Sequence, residues 1–274
     1  MGRLSDCPPE QAMIAWGKND GNPAGAFPLR IAAIHQPGYL PWAGYFAKMM
    51  QADVFCHLDN VQFTKNGWQN RNRIKTARGA QWLTVPVRRG HPLAIREVEI
   101  DGRTDWARRH LQALRTNYGR APFFATVFPA LEEVLSRAWG RLLDLNLALI
   151  DALRGLLGLA GRPAAIASSL PAREEPTGRL IDLCRALGAD AYLAGEGAIG
   201  YMDFARFHEA GIRVFLQRFR HPVYPQRFGA FVPQLSVIDL LFACGPESGR
   251  VLAGAAEPPL AVAAEAPPER IEGR

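Results

Sequence analysis

"RIAAIHQPGYLPWAGYFAKMMQADVFCHLD", Arg30 to Asp59, decides the fold class. An apolar run climbs to His35, an amphipathic stretch fills Trp42 to Ala52, and a second apolar run, "VFCH", begins about 22 residues after the first. Parallel strands cannot be joined by a tight turn and need a crossover of a dozen residues or more, usually a helix. The spacing therefore predicts a βαβ unit. Its first loop, "HQPGYLPW", leaves the carboxyl end of the first strand, where open α/β sheets place ligands. That loop carries a His, a Gln, two Pro and a Gly, more chemistry than a connection needs.

Outward from this unit the pattern changes. "NRNRIKTARGAQWLTVPV" predicts two antiparallel strands turning at "ARGA". Three helical stretches follow: "TDWARRHLQALRTNYG" with Thr104 as N-cap, "APFFATVFPALEEVLSRAWG", and "RLLDLNLALIDALRGLLGLAG", which stops at Gly158 and Gly161. Strands and helices then alternate again: "AAIASSL", "TGRLIDLCRALGA", "DAYLAG", "YMDFARFHEAG", "IRVFLQRF". Short apolar runs of this kind belong to strands buried on both faces. The expected fold is α/β, a mainly parallel sheet with flanking helices of HUP or Rossmann type, with an inserted β-hairpin and helical segment. The expected organisation is a flexible extension over 1–29, one domain over 30–246 with a basic insert at about 65–160, and a disordered Ala/Pro-rich tail over 247–274. The terminal "IEGR" matches a protease recognition sequence and stays outside the functional reading.

The chain has 274 residues, 48% hydrophobic and 21% charged, the balance of a soluble globular protein with a sizeable core. No apolar run reaches the ~20 residues of a membrane span, and "MGRLSDCPPEQ" has no signal-peptide core, so a cytoplasmic protein is expected. Cys7, Cys56, Cys184 and Cys244 have no ligand spacing and read as reduced thiols. The net charge is +6, and Lys65 to Arg120 holds 13 Lys/Arg against 4 Asp/Glu. An anionic small molecule is the expected partner, with RNA as a weaker alternative because base-stacking aromatics interleaved with those cations, such as Trp68 and Trp82, are few.

Four segments carry chemistry. In the first loop, His35 and Gln36 present polar groups while Tyr39 and Trp42 wall a pocket. "DNVQFTKNGWQNRNRIK" supplies Asp59, Gln62, Lys65, Gln69, Asn70, Arg71, Asn72 and Lys75. Alternation along the strand puts Gln69, Arg71 and Arg73 on one face and Asn70, Asn72 and Ile74 on the other. "YLAGEGAIGYMD" has the form GxGxxG at Gly195, Gly197 and Gly200, yet the acidic residue a dinucleotide site needs is missing. No nicotinamide or flavin is expected there; Glu196 is expected at the mouth. "HPVYPQRFGAFVPQLSVIDLLFACGP" brings His221, Tyr224 and Gln226, with Ser236 capping a helix whose Asp239 needs a partner if buried. No metal is expected: His35, His57 and Asp59 come nearest to a ligand set, on weak spacing. His35, Asp59, Lys65 and Glu196 are the candidate catalytic groups; the other residues of the loop, the hairpin and the His221 segment are candidate substrate contacts.

Together "IHQPGYLPWAGYF", "DNVQFTKNGWQNRNRIK", "WLTVPV", "YGRAPFF", "YLAGEGAIGYMD" and "HPVYPQRFGAFVPQLSVIDLLFACGP" resemble the WbqC-like bacterial family over about residues 30–246. The family is associated with gene clusters for O-antigen and other surface glycans. The resemblance implies a transferase of surface-glycan biosynthesis, moving an acyl or aminoacyl group to a nucleotide-linked amino sugar or similar anionic acceptor. The alternatives are a non-catalytic nucleotide- or phosphate-binding protein of the same pathway and an enzyme that uses aminoacyl-tRNA. The strand–loop–helix start is also similar to HUP-type nucleotidyltransferases, whose HxGH pattern is replaced here by "WAGY" after His35.

Overall fold

A computed structural model describes residues 29–88, 93–200 and 202–263, apart from the Glu196 side chain. The N-terminal extension before Leu29, Cys7, Glu196's expected role and the last eleven residues lie outside the described part. The βαβ unit is β1 (Ile31–His35), α1 (Ala43–Gln51) and β2 (Val54–His57), with β1 and β2 parallel and His35 in register with His57. The hairpin is β3 (Arg71–Thr76) and β4 (Gly79–Thr84). Helices α2 (Trp106–Tyr118), α3 (Phe124–Leu135) and α4 (Leu142–Leu156) complete the insert. Then come β5 (Ala164–Ile166), α5 (Pro176–Ala186), β6 (Ala191–Ala194), α6 (Phe204–Glu209), β7 (Arg213–Phe219), α7 (Val237–Cys244), α8 (Ser248–Ala255) and β8 (Ala256–Val262).

The six-stranded sheet has the order β5-β2-β1-β6-β7-β8, parallel throughout except for β7 against β8. The chain moves outward from β1 through β2 to β5, then returns to lay β6 and β7 on the other side. The direction reverses between β1 and β6, which makes their carboxyl ends the topological switch point. Residues of alternate parity face two cores. Ile31, Ala33 and Phe55 pack with α1, the helical insert and α7, whereas Ala32, Ile34 and Cys56 pack with α5 and α6. This is why the strands read as unbroken apolar runs. Cys56 and Cys184 are free and buried, and Cys244 is buried. No helix among the described residues is long and apolar enough to cross a membrane.

Three expectations need correction. The domain does not end at 246: α8 and β8 follow, and β8 adds an antiparallel edge strand to β7. The strand expected over "AAIASSL" stops at Ile166, because the Ser168 N–H is taken by the Asp59 carboxylate (2.8 Å) and the chain turns into a 3-10 turn over Ala167–Ser169. Helix α2 starts at Trp106 with Asp105, not Thr104, at the N-cap position.

Candidate functional site

A cavity of about 360 Å³ opens at the carboxyl end of β1. Three distant segments build it. The first loop supplies His35, Gln36, Gly38, Pro41 and Trp42, with Tyr45 from the first turn of α1. The hairpin and its approach supply Trp68, Gln69 and Asn72, and the loop before α7 supplies Gln234.

Backbone hydrogen bonds stitch these segments together. Tyr39 N–H donates to the Trp68 carbonyl (3.0 Å), Val237 N–H to Pro41 (2.9 Å) and Ser236 N–H to Arg73 (2.9 Å). Gly38 suits the first contact: a Cβ there would sit 3.2 Å from the Trp68 carbonyl oxygen, closer than ordinary van der Waals contact. Gly44 lets the Trp42 indole lie flat on α1, since a Cβ would meet that ring at 2.3 Å. Leu40 is held at φ +43°, a left-handed conformation that costs a branched residue on the order of 1–3 kcal/mol. Asn72 holds it there, its Nδ2 donating to the Leu40 carbonyl at 2.7 Å. Gln234, at φ +57°, is a second such residue on the cavity wall.

His35 contributes the central chemistry. Its Nδ1 lies 3.0 Å from the Gln36 carbonyl, which can only accept, so Nδ1 carries the proton and Nε2 keeps a free lone pair. Burial, then the nearby Lys48 charge, pushes this imidazole down to about 4, so it is neutral at physiological pH. Gln69 Nε2 donates to Gln36 Oε1 (2.6 Å), which orients the Gln36 amide and leaves its NH₂ for a ligand. Tyr45 meets the His35 ring edge-on, and its hydroxyl is 3.0 Å from Nδ1 of His57. His57 is also pushed down to about 4, by burial first and then by Arg154. Among the described residues no three His, Cys, Asp or Glu side chains converge as a metal cluster.

Lys48 of α1 stands at the switch point, 2% exposed, its Nζ donating to the Ile34 carbonyl (3.1 Å) and lying 5.7 Å from the Tyr192 ring centroid. Burial lowers it to about 7. A lowered lysine means that the unfolded chain binds the extra proton between about pH 7 and 10.5, so its contribution to stability rises with pH across that window and is lowest below it. Lys48→Met should therefore stabilise the fold at pH 6 by on the order of 2 kcal/mol, an advantage that shrinks by pH 9. Urea unfolding at the two pH values checks this; a Met variant less stable at pH 6 would contradict it.

The structure gathers five of the expected residues at the cavity: His35, Gln36, Trp42, Gln69 and Asn72. Arg71 lies on the outer face of the hairpin, its guanidinium 4.2 Å from the Trp82 ring centroid. Other expected residues sit elsewhere. Tyr39 does not wall the pocket: it is fully buried, with its hydroxyl 2.8 Å from Nδ1 of His110. Asp59 is buried outside the cavity lining, its two oxygens accepting from the backbone N–H and hydroxyl of Ser168 (2.8 and 2.6 Å). Asn70 braces the Val85 carbonyl (2.9 Å). Lys75 donates to the Ala230 carbonyl from Nζ and to the Tyr118 hydroxyl from its backbone. Tyr224 donates to Asp239, and Gln226 staples its own loop through Val232. His221, half-buried, packs among Phe219, Tyr224 and Phe231. Gln62 and Lys65 are exposed and line no part of the cavity.

Sequence reasoning missed Tyr45, Trp68 as a wall residue, Gln234 and Lys48. Tyr45 had a signal, three residues after Trp42 and so on the same helix face. Gln234 had none, because a loop some 200 residues downstream delivers it.

A model of the WbqC-like protein family matches residues 36–251. The chain is 40% identical over 225 residues to "Uncharacterized protein Rv1507c" of Mycobacterium tuberculosis, a match covering 80% of this chain and 96% of that protein. No solved structure matches it.

Proposed function

Because the chain belongs to the WbqC-like protein family, we propose that it is a transferase of surface-glycan biosynthesis, passing an acyl or aminoacyl group to the amine of a nucleotide-linked amino sugar or similar anionic acceptor. The observation that carries this reading is His35: a neutral imidazole with its Nε2 lone pair free, on the wall of a cavity at the carboxyl end of β1. As the acceptor amine attacks the acyl carbonyl, Nε2 takes the amine proton, and the donor's leaving group departs as the carbonyl reforms. The Gln36 NH₂, fixed by Gln69, donates to the oxygen on which negative charge develops. An imidazole pushed this far down is a weak base, and an anionic substrate entering the cavity raises it toward neutrality.

The test incubates the full chain with nucleotide-linked amino sugars and activated acyl or aminoacyl donors, and reads product by mass. His35→Ala should lose about a hundredfold or more in turnover while the acceptor still raises the melting temperature. Turnover that survives His35→Ala removes the base assignment. A second reading, a non-catalytic binding protein, draws on the same cavity, where Asp59 and Lys65 are absent and His35 is held neutral. Stoichiometric binding with no product from any pair would decide for it.

A further inference from the structure

The outer face of the β3–β4 hairpin is built unlike an ordinary solvated strand pair. Trp68 and Trp82 are 51% and 41% exposed, and their ring centroids lie 5.4 Å apart. Large rings left in water cost apolar exposure and ask for an occupant. Arg71 lies over Trp82 at 4.2 Å, and Arg73 lies 5.9 Å from Trp68 and 5.6 Å from Trp82. Neither guanidinium has a carboxylate partner among the described residues, and the Nε of each is buried with no acceptor. A guanidinium stacked on an indole keeps its fork of N–H groups in one plane, the geometry that grips phosphate oxygens.

This surface is continuous with the cavity. Trp68 lines the cavity on one side and faces Trp82 on the other, and Arg73 Nη2 reaches the carbonyl of the wall residue Gln234 (3.4 Å). The cavity, about 360 Å³, is at the small end of the ~300–1,000 Å³ range of ligand pockets. A cavity at this end of the range suits a sugar-sized group, and the adjoining hairpin face offers surface for the rest of a nucleotide-linked sugar. We infer that the hairpin face binds the nucleoside diphosphate portion of the substrate, with the base stacked on Trp68 and Trp82 and the phosphates held by Arg71 and Arg73. This assignment rests on the transferase reading only for what occupies the cavity beyond it.

The experiment follows tryptophan fluorescence of the full chain titrated with uridine and adenosine diphosphates, inorganic pyrophosphate and single-stranded oligouridylate. At least one nucleoside diphosphate should quench the emission and bind roughly tenfold or more tightly than pyrophosphate. Trp82→Ala should remove that advantage and leave pyrophosphate binding within about twofold, Trp82→Phe should keep most of it, and Arg71→Ala should weaken both ligands. Equal affinity for pyrophosphate and nucleotides, or no nucleotide binding, would overturn the assignment. So would oligouridylate binding far above the diphosphates with a steep salt dependence, which would make the face an RNA surface. The two readings fail separately. Trp82-dependent nucleotide binding without any transfer sinks the transferase alone, whereas transfer that needs His35 and ignores Trp82→Ala sinks this inference alone.

Discussion

Between pH 6.5 and pH 5 the protein should lose several kcal/mol of stability, before most of its carboxylates begin to titrate. The cause is imidazole burial. His57 and His110, 5% and 6% exposed, are each pushed from 6.5 down to about 4, chiefly by burial. The sign follows from which state takes the proton first. With folded values below the unfolded ones, the unfolded chain protonates first as pH falls. The stability is whole above about pH 6.5 and is lost as pH drops toward 4. A shift of this size is worth about 3 kcal/mol per group at full development, and about 2 kcal/mol per group is gone by pH 5. His35 adds to the same slope, but less, because it faces the cavity and any water there. Lys48 adds nothing here, being protonated in both states, and the raised Asp239 works in the opposite direction. Against a typical total of ~5–15 kcal/mol, the effect is large. Urea unfolding at pH 7.5, 6.5, 5.5 and 5.0 should show the midpoint falling steeply over the last three. The double variant His57→Gln, His110→Gln should flatten that slope. A wild-type midpoint constant from pH 6.5 to 5 would mean that the imidazoles are not held neutral.

What the sequence made legible was whatever its local pattern controls. The Arg30–Asp59 stretch announced β1, α1 and β2 because strand period, crossover length and loop chemistry all lie within 30 residues. Alternation on the hairpin was read correctly from Asn70 to Ile74: Asn70, Asn72 and Ile74 are buried, while Arg71 and Arg73 face outward toward Trp68 and Trp82; Gln69, expected on the arginine face, is buried at the cavity instead. What stayed hidden depends on partners far along the chain or on backbone no rule anticipates. Tyr39 was aimed at the pocket, but the left-handed Leu40 and the Tyr39–His110 pair send its ring into the insert. Asp59 looked available because Ser168, which occupies it, lies 109 residues away. The β8 stretch "AEPPLAV" looked like tail because of its two prolines. Proline is tolerated on an edge strand, whose outer side needs no N–H, and β8 is the edge.

The largest single-residue loss of stability is expected at Asp239. Its carboxylate, 2% exposed in the first turn of α7, accepts from the hydroxyls of Tyr118 (2.7 Å) and Tyr224 (2.9 Å), themselves 2% and 7% exposed. The Tyr118 hydroxyl also receives the Lys75 N–H (2.8 Å), and the Lys75 Nζ is held by the Ala230 carbonyl; burial raises the Asp239 carboxyl, against which the two phenol hydrogen bonds and then the nearby Lys75 side chain work. Asp239→Ala thus strands two buried phenol donors and removes the negative charge facing a buried cation. Each stranded group costs ~1–3 kcal/mol, and breaking a buried ionic network by removing one member costs ~3–5 kcal/mol. A loss of about 4 kcal/mol is expected for Ala, and about half that for Asn, which keeps one acceptor. Tyr224→Phe, which removes a donor and leaves no orphan hydroxyl, should cost about 1 kcal/mol, and Tyr118→Phe, which also strands the Lys75 N–H, about 2 kcal/mol. The effect should reach the cavity, because the start of α7 is tied to Pro41 and Arg73 by the Val237 and Ser236 N–H groups, next to Gln234. A double-mutant cycle between Tyr118→Phe and Asp239→Ala separates the network from simple packing. A coupling of 1 kcal/mol or more supports the network. An Asp239→Ala variant within 1 kcal/mol of wild type, with no coupling to Tyr118, would show that the carboxylate is not what holds the hairpin, α2 and α7 together behind the site.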